Sequence, residues 1–292
     1  LEQHVRYRPG YPIVAHHGSI MELVADLAAK SLLLFGLLLF TCQMLAQQLG
    51  FELGRRRRAV VGSVGASGVE LVVNSLLALL AFTLALTLSY GSARYTERRA
   101  GILTEATAID TAWLRAEAIG NPLGREIADL LKDYATLRRD YVLEPRNSPA
   151  IDGINDRSAQ LRSQIWERLS AILQERPDDV TSSLMASLND TFNAGTAERF
   201  ALETKFPPQL FWLLTGMALI SMATFGYQLG LKAVELRALP ALLIAVWTAV
   251  LVVILDLSSP RIGPLRANAA VYDWTLKALI TNRAKLPTST SQ

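Results

Sequence analysis

Four stretches of the chain carry no charged side chain: Ser31–Ala46, Leu71–Ala93, Pro207–Leu231 and Ala238–Leu255. A bilayer core about 30 Å thick is crossed by about 20 apolar helical residues, and charge near its centre is expensive. The last three stretches reach or approach that length unaided. The first extends through Gln47, Gln48 and Phe51 to Gly54. Four spans follow, at about 31–54, 69–93, 207–231 and 238–256. Only 19% of the 292 residues are charged, against roughly a quarter in a soluble chain, and those charges are confined to the blocks between the spans.

The block from 94 to 206 changes pattern. Ile102, Ala106, Ile109, Trp113 and Ala116 recur at spacings of four and three, one apolar stripe on a helix that continues directly out of the second span. Asn121-Pro122 supplies a helix start, with Asn as cap and Pro in the first turn. The next stripe is Ile127, Leu130, Leu131, Tyr134, Leu137 and Tyr141, ending at Glu144-Pro145. The segment from Arg146 to Asp156 has loop composition. A third stripe (Leu161, Ile165, Leu169, Ile172) stops before Pro177. Asp178 caps a fourth helix with Val180, Leu184, Leu188 and Phe192 on its buried face. Antiparallel stripes of similar length predict a helical bundle, and no strand-like alternation of useful length occurs.

The expected fold class is therefore all-α: a polytopic membrane protein with four transmembrane helices and an extramembrane helical bundle inserted between spans 2 and 3. Residues 1–20 form a poorly ordered N-terminal segment, with Met21 as a natural start. Residues 21–93 form the first hairpin, 94–206 the four-helix domain and 207–257 the second hairpin. Residues 258–292 form an interfacial helix, its Tyr272 and Trp274 suited to the headgroup level, and a disordered tail.

Several classes of function lack their parts. The three histidines are His4, His16 and His17, so the folded body has none for a metal site or a Ser-His dyad, and the lone Cys42 lies inside the first span. No phosphate loop or dinucleotide fingerprint is present. The bundle acids Glu105, Asp110, Glu117, Asp129 and Asp133 fall mostly on the polar side of the stripes, as a solvated face. An enzyme is not expected, nor a cofactor or bound metal. The net charge of +3 owes much to Arg55–Arg58, which directly follows the first span. Without interleaved aromatics this run is a topological anchor or a headgroup contact, not a nucleic-acid face. Gly62, Gly65 and Gly68 precede the second span, either as a pattern that lets helices approach closely or as a flexible loop before a helix that starts near Val69. Glu70 lies at its membrane boundary, where a carboxylate either serves function or snorkels to headgroups.

The most distinctive stretch is Arg94-Tyr95-Thr96-Glu97-Arg98-Arg99, followed by Glu105-Ala-Thr-Ala-Ile109-Asp110-Thr111-Ala-Trp113-Leu114-Arg115. It resembles a bacterial family of membrane proteins described as bestrophin-like, distantly similar to the bestrophin channels. That family has an apolar span ending in Arg-Tyr-x-x-Arg-Arg, then Glu-Ala-x-Ala-Ile-x-Thr-Ala-x-Leu-Arg. The resemblance continues through Ser187-Leu188-Asn189-Asp190, Arg199 and Pro207, and closes at Asp256-Leu257, Pro260-Arg261 and Gly263. Two departures stand out. Phe82-Thr83 lies twelve residues before Arg94, where the family places a similar pair about eight residues before its Arg-Tyr. Asp110 stands where glycine is common.

Bestrophins proper are pentameric ion channels whose second span lines a hydrophobic neck. The resemblance implies a homo-oligomer in the bacterial cytoplasmic (inner) membrane, with inorganic ions as cargo and the lipid bilayer as its other partner. Leu79, Phe82 and Leu86, on one face of span 2, would line the pore. The alternative to pore lining is ordinary helix or lipid packing, and the alternative function is a sensory or scaffolding membrane protein whose bundle binds a ligand or partner. The calcium-binding acidic cluster of eukaryotic bestrophins has no counterpart after Asp256. Sidedness is open: four arginines in a short loop mark their side as cytoplasmic, which puts the bundle outside the cytosol, whereas bestrophins proper keep theirs within it.

Overall fold

The computed structural model describes residues 31–61, 66–145, 148–204, 207–234, 238–259, 265 and 267–285. Gly62, Gly65, Arg261, the first 20 residues and the tail from Pro287 lie outside the described residues. Those described fold into helices with no strand among them: α1 (Leu32–Val61), α2 (Ala66–Ala118), α3 (Pro122–Leu143), α4 (Ala150–Glu175), α5 (Asp179–Glu203), α6 (Pro208–Lys232), α7 (Ala238–Ser258) and α8 (Ala270–Lys285). Four are long and apolar enough to cross a membrane: α1, the first part of α2, α6 and α7.

Helix α2 is a single element of 53 residues, about 80 Å at 1.5 Å per residue. It runs from the membrane straight into the bundle. Gly120, with φ of 75°, ends that rod by entering the left-handed region, which a residue with a side chain adopts at a cost. Asn121 then caps α3 by accepting from the Gly124 N–H at 2.8 Å, and Asp178 caps α5 by accepting from Thr181 N–H at 2.9 Å.

In lipid, helices gain nothing from leaving water, so contact depends on how closely backbones can pack. Two Gly-x-x-x-Gly pairs provide that between α1 and α6. A Cβ at Gly50 would sit 1.9 Å from Ala223 O, at Gly54 2.2 Å from Tyr227 O, at Gly226 2.0 Å from Gln47 O and at Gly230 2.2 Å from Phe51 O. Each glycine thus receives the backbone of the partner helix. Gly68, by contrast, has nothing within 4 Å of its Cβ position. The membrane core closes over this contact with Phe35, Leu80, Phe211, Leu214, Leu251 and Ile254. Gln43 Nε2 donates to Thr248 Oγ1 at 2.9 Å, joining α1 to α7.

The bundle differs from expectation in three places. Helix α4 begins at Ala150 rather than after a loop to Asp156, because Ile151 and Ile154 extend its apolar stripe onto the core. Val180 is exposed and Thr181 is buried, since the Asp178 cap takes both the N–H and the hydroxyl of Thr181 and turns that residue inward. The largest correction concerns α8, expected at the membrane interface. Its Tyr272 and Leu279 are buried in the bundle core, making a fifth helix there, while Trp274 remains exposed.

Substituting Gly226→Ala forces a Cβ into Gln47 O, and overpacking of this kind costs about 1–3 kcal/mol. Gly68→Ala, in open space within a helix, is neutral or stabilising by up to about 1 kcal/mol. Thermal unfolding of the two variants in detergent separates them; equal melting temperatures would contradict the glycine contact.

Candidate functional site

Helix α2 presents two opposite faces. Val73, Leu80 and Leu84 are buried against the other spans, whereas Leu79, Phe82 and Leu86 are 51%, 62% and 56% exposed. Spacings of three and four carry the exposed face onward through Tyr90, Ala93, Glu97, Ala100, Thr104 and Thr107, all exposed on the same unbroken helix. The stripe is apolar within the membrane and polar beyond it.

The Arg-Tyr-x-x-Arg-Arg element lies where α2 leaves the membrane, and its members serve different ends. Arg94 Nη1 pairs with Glu97 Oε2 at 2.9 Å. The guanidinium of Arg99 lies 5.7 Å from the centre of the Tyr95 ring, a cation–π distance. Arg98 is buried and donates through Nη2 to Leu257 O at 2.5 Å, so it satisfies a carbonyl in the last turn of α7. Two turns earlier, Gly91 passes Ser258 Oγ at 3.2 Å from its Cβ position. Asp256 is buried at this junction and accepts the Leu265 N–H. Arg261, five residues further on, is outside the described residues. At the other end of the span, Glu70 is held by Lys232 Nζ at 2.7 Å, across to the end of α6.

Glu105 corrects the expectation of a solvated acid: it is fully buried at the centre of the bundle. Arg138 Nε donates to its Oε1 at 2.8 Å, Tyr134 OH to the same oxygen at 3.0 Å, and Tyr272 OH to Oε2 at 2.5 Å. Arg138 also donates to Glu198 and, through Nη2, to Gly195 O at 3.4 Å, and lies over the Tyr141 ring at 4.6 Å. A Cβ at Gly195 would fall 2.5 Å from Tyr134 OH and 2.6 Å from Glu105 Oε1, so glycine there leaves room for the cluster. Burial alone pushes the Arg138 guanidinium toward losing its proton, but Glu105 and Glu198 outweigh it and hold the pKa above the usual value. Burial, reinforced by Glu105, raises both phenols, so Tyr134 and Tyr272 stay donors through the physiological range.

Arg138 and Glu198 were not singled out from the sequence, and Tyr272 was expected at the membrane interface and not on Glu105. Arg138 and Glu198 had a signal, since each lies on its helix's apolar stripe, Arg138 between Tyr134 and Tyr141 and Glu198 between Gly195 and Leu202. A charge in register with a buried face implies a buried partner.

Thr111 and Arg115 go elsewhere. With Leu103, Thr104, Thr107 and Ala108 of α2, and Ser187 and Asp190 of α5, they line a groove of about 390 Å³. Four residues singled out in two distant sequence stretches thus meet in one place. Asp110, near this face, is half-buried, with its Oδ1 lacking a hydrogen-bond partner.

A family profile described as a bestrophin-like domain matches residues 38–271. No curated protein matches the chain. A crystal structure of a bacterial bestrophin homologue from Klebsiella pneumoniae is similar at a TM-score of 0.59 and 13% identity, covering 84% of this chain and 99% of that one. A single-residue variant of a bestrophin homologue from the same organism gives 0.62 at 12% identity, over 92% and 100% of the two chains. At these identities the likeness establishes the fold.

Replacing Arg138 by Met leaves two buried carboxylates without their shared cation, and breaking such a cluster costs about 3–5 kcal/mol. Tyr272→Phe removes one hydrogen bond to a carboxylate, about 1.5–3 kcal/mol. Thermal unfolding should order the three proteins as wild type, then Tyr272→Phe, then Arg138→Met; an Arg138→Met protein as stable as wild type would remove the cluster's structural role.

Proposed function

The chain belongs to the bestrophin-like family of membrane proteins, and from that premise we propose that copies of it assemble around the exposed face of α2 as an ion channel. The supporting observation is the continuity of that face. Lipid can cover Leu79, Phe82 and Leu86, but the stripe runs on as Ala93, Glu97 and Ala100, exposed past the boundary arginines, before it turns toward the α2–α5 groove at Thr104 and Thr107. A water-filled axis, narrow and apolar in the bilayer and polar outside it, accounts for both halves.

In this assembly Leu79, Phe82 and Leu86 form the neck. Such a constriction passes ions when wetted and blocks them when dry. Inorganic ions are the cargo, the resemblance implies five copies, and the setting is the inner membrane of a bacterium. The boundary residues are positioning residues: Arg98 locks α2 to the end of α7, and Lys232 locks its other end to α6 through Glu70. Helix α2 therefore stands as a fixed stave. The buried Glu105 cluster extends that fixation into the bundle. A second reading, in which the bundle receives a ligand, draws on the groove between α2 and α5 and is compatible with the first, since α2 serves both.

Purified protein reconstituted in planar bilayers should carry current above the lipid control. Leaving a phenyl ring in water costs about 1.5–3 kcal/mol, so Phe82→Ala relieves part of that cost in the wetted neck and should raise the open fraction by about tenfold. Absence of current across ions and voltages, together with a monomer by native mass spectrometry, would overturn the channel.

A further inference from the structure

Four arginines in a row after a span serve as a topological anchor or as a headgroup contact, and α1 builds more around them than an anchor needs. Leu45, Leu49 and Leu53 are exposed, one above the other at spacings of four along the helix. Arg56 and Arg57 stand three and four residues beyond Leu53, the two places above it in the next turn of that face, and both are exposed. Another side of the same turns is closed by α6, where Gly54 receives Tyr227 O and a Cβ at Gly230 would fall 2.8 Å from Arg55 N. That contact sets the rotation of the end of α1. The arginines therefore keep their place above the leucine row.

The depth fits as well. Leu53 lies about 32 Å along α1 from Leu32 at 1.5 Å per residue, and the hydrocarbon core of a bilayer is about 30 Å thick. Arg57 is about 6 Å further on, inside a polar layer of about 5–8 Å on each face. Helical side chains tilt toward the N-terminus of their own helix, which for α1 means back toward the bilayer. Both guanidiniums thus lean over the end of the leucine row, at the level of lipid phosphates. Charge is unbalanced there. One carboxylate, Glu52, receives Arg55 Nη2 at 2.9 Å and Arg56 Nε at 3.0 Å, while Arg57 and Arg58 have no ion pair among the described residues. Exposed pairs of the Glu52 kind hold their partners weakly, so Arg56 is free to turn to a stronger acceptor.

Guanidinium forks match phosphate oxygens bidentately. We propose that the end of α1 is a binding site for an anionic phospholipid, with its phosphate between Arg56 and Arg57 and an acyl chain along Leu53, Leu49 and Leu45. A zwitterionic phospholipid brings an ammonium beside its phosphate, which the surplus positive charge repels. A soluble phosphate ester meets the same arginines without the leucine row, in water and salt that screen it, and is held weakly. A second copy presenting the same run would set arginine against arginine. Binding here requires neither conduction nor assembly, so it goes beyond the channel reading and stands or falls apart from it.

The test is native mass spectrometry of the full chain in an uncharged detergent, titrated with dioleoylphosphatidylglycerol, dioleoylphosphatidylcholine and glycerol 3-phosphate. Phosphatidylglycerol should bind at least about tenfold more tightly than phosphatidylcholine, and glycerol 3-phosphate at equal concentration should not displace it. The double variant Arg56→Gln/Arg57→Gln should weaken phosphatidylglycerol by about tenfold or more and abolish the preference. Both residues are exposed, and Arg55 and Arg58 remain as the anchor, so the variant still folds and inserts. Arg157→Gln/Lys277→Gln removes two charges from the exposed bundle surface and should leave both lipid affinities unchanged. Equal binding of the two lipids would overturn the proposal, as would displacement by glycerol 3-phosphate or an unchanged preference in the arginine variant. An equal loss in the bundle variant would also overturn it, by reducing the effect to net charge.

Discussion

Inside a bilayer an apolar helix is as well solvated by lipid tails as by another helix, so a membrane fold must find its cohesion in close packing. Here the closest approach is that of α1 and α6, where four glycines alternate with the backbones they receive. The rest of the membrane half is arranged about that contact. Helix α7 joins it through the Gln43–Thr248 hydrogen bond, and α2 packs its Leu80 and Leu84 side inward. With those inner positions taken, the opposite face of α2 has no partner within its own chain. Like Leu37 and Leu49 on α1, Leu213 on α6 and Leu242 on α7, the stripe of Leu79, Phe82 and Leu86 is left for lipid or another chain to cover.

A different physics holds the bundle. There the apolar stripes meet in water and gain by burial, but the centre is polar: two carboxylates, one guanidinium and two phenols from α2, α3, α5 and α8. Such clusters add little net stability, yet they penalise every arrangement that leaves a member unpaired. The cluster thus specifies how four helices register against one another. Because Glu105 and Leu79 share one helix, the register of the bundle also sets the rotation of the face that α2 presents in the membrane.

The spans were legible because absence of charge over some 20 residues has few other meanings. The caps at Asn121 and Asp178 were legible because their chemistry is local. Glu105 carried the same sign as Arg138, a charge three residues after Ile102 and four before Ile109 on the buried stripe, but its partners lie 29, 33 and 167 residues away and are not named by its own helix. The aromatics of α8 gave a false lead: Tyr and Trp near a span end suit headgroups, but Tyr272 is the donor that Glu105 lacks. The glycines of α1 and α6 form Gly-x-x-x-Gly pairs and receive a partner backbone, whereas Gly68, spaced to invite the same approach, touches nothing. The groove at Arg115 could not be found from sequence, because pairing α2 with α5 depends on the antiparallel return of the chain.

Helix α8 is made after every other element described, and it supplies Tyr272 and Leu279 to the core and Arg283 to Glu117 at 3.1 Å. During synthesis the bundle therefore waits, its central acid lacking one donor, until both hairpins have been delivered to the membrane. Completion of the soluble part becomes a record that the membrane part has been made. A chain interrupted after α7 would keep all four spans and still expose the seam where α8 belongs, which gives cellular quality control a surface to recognise.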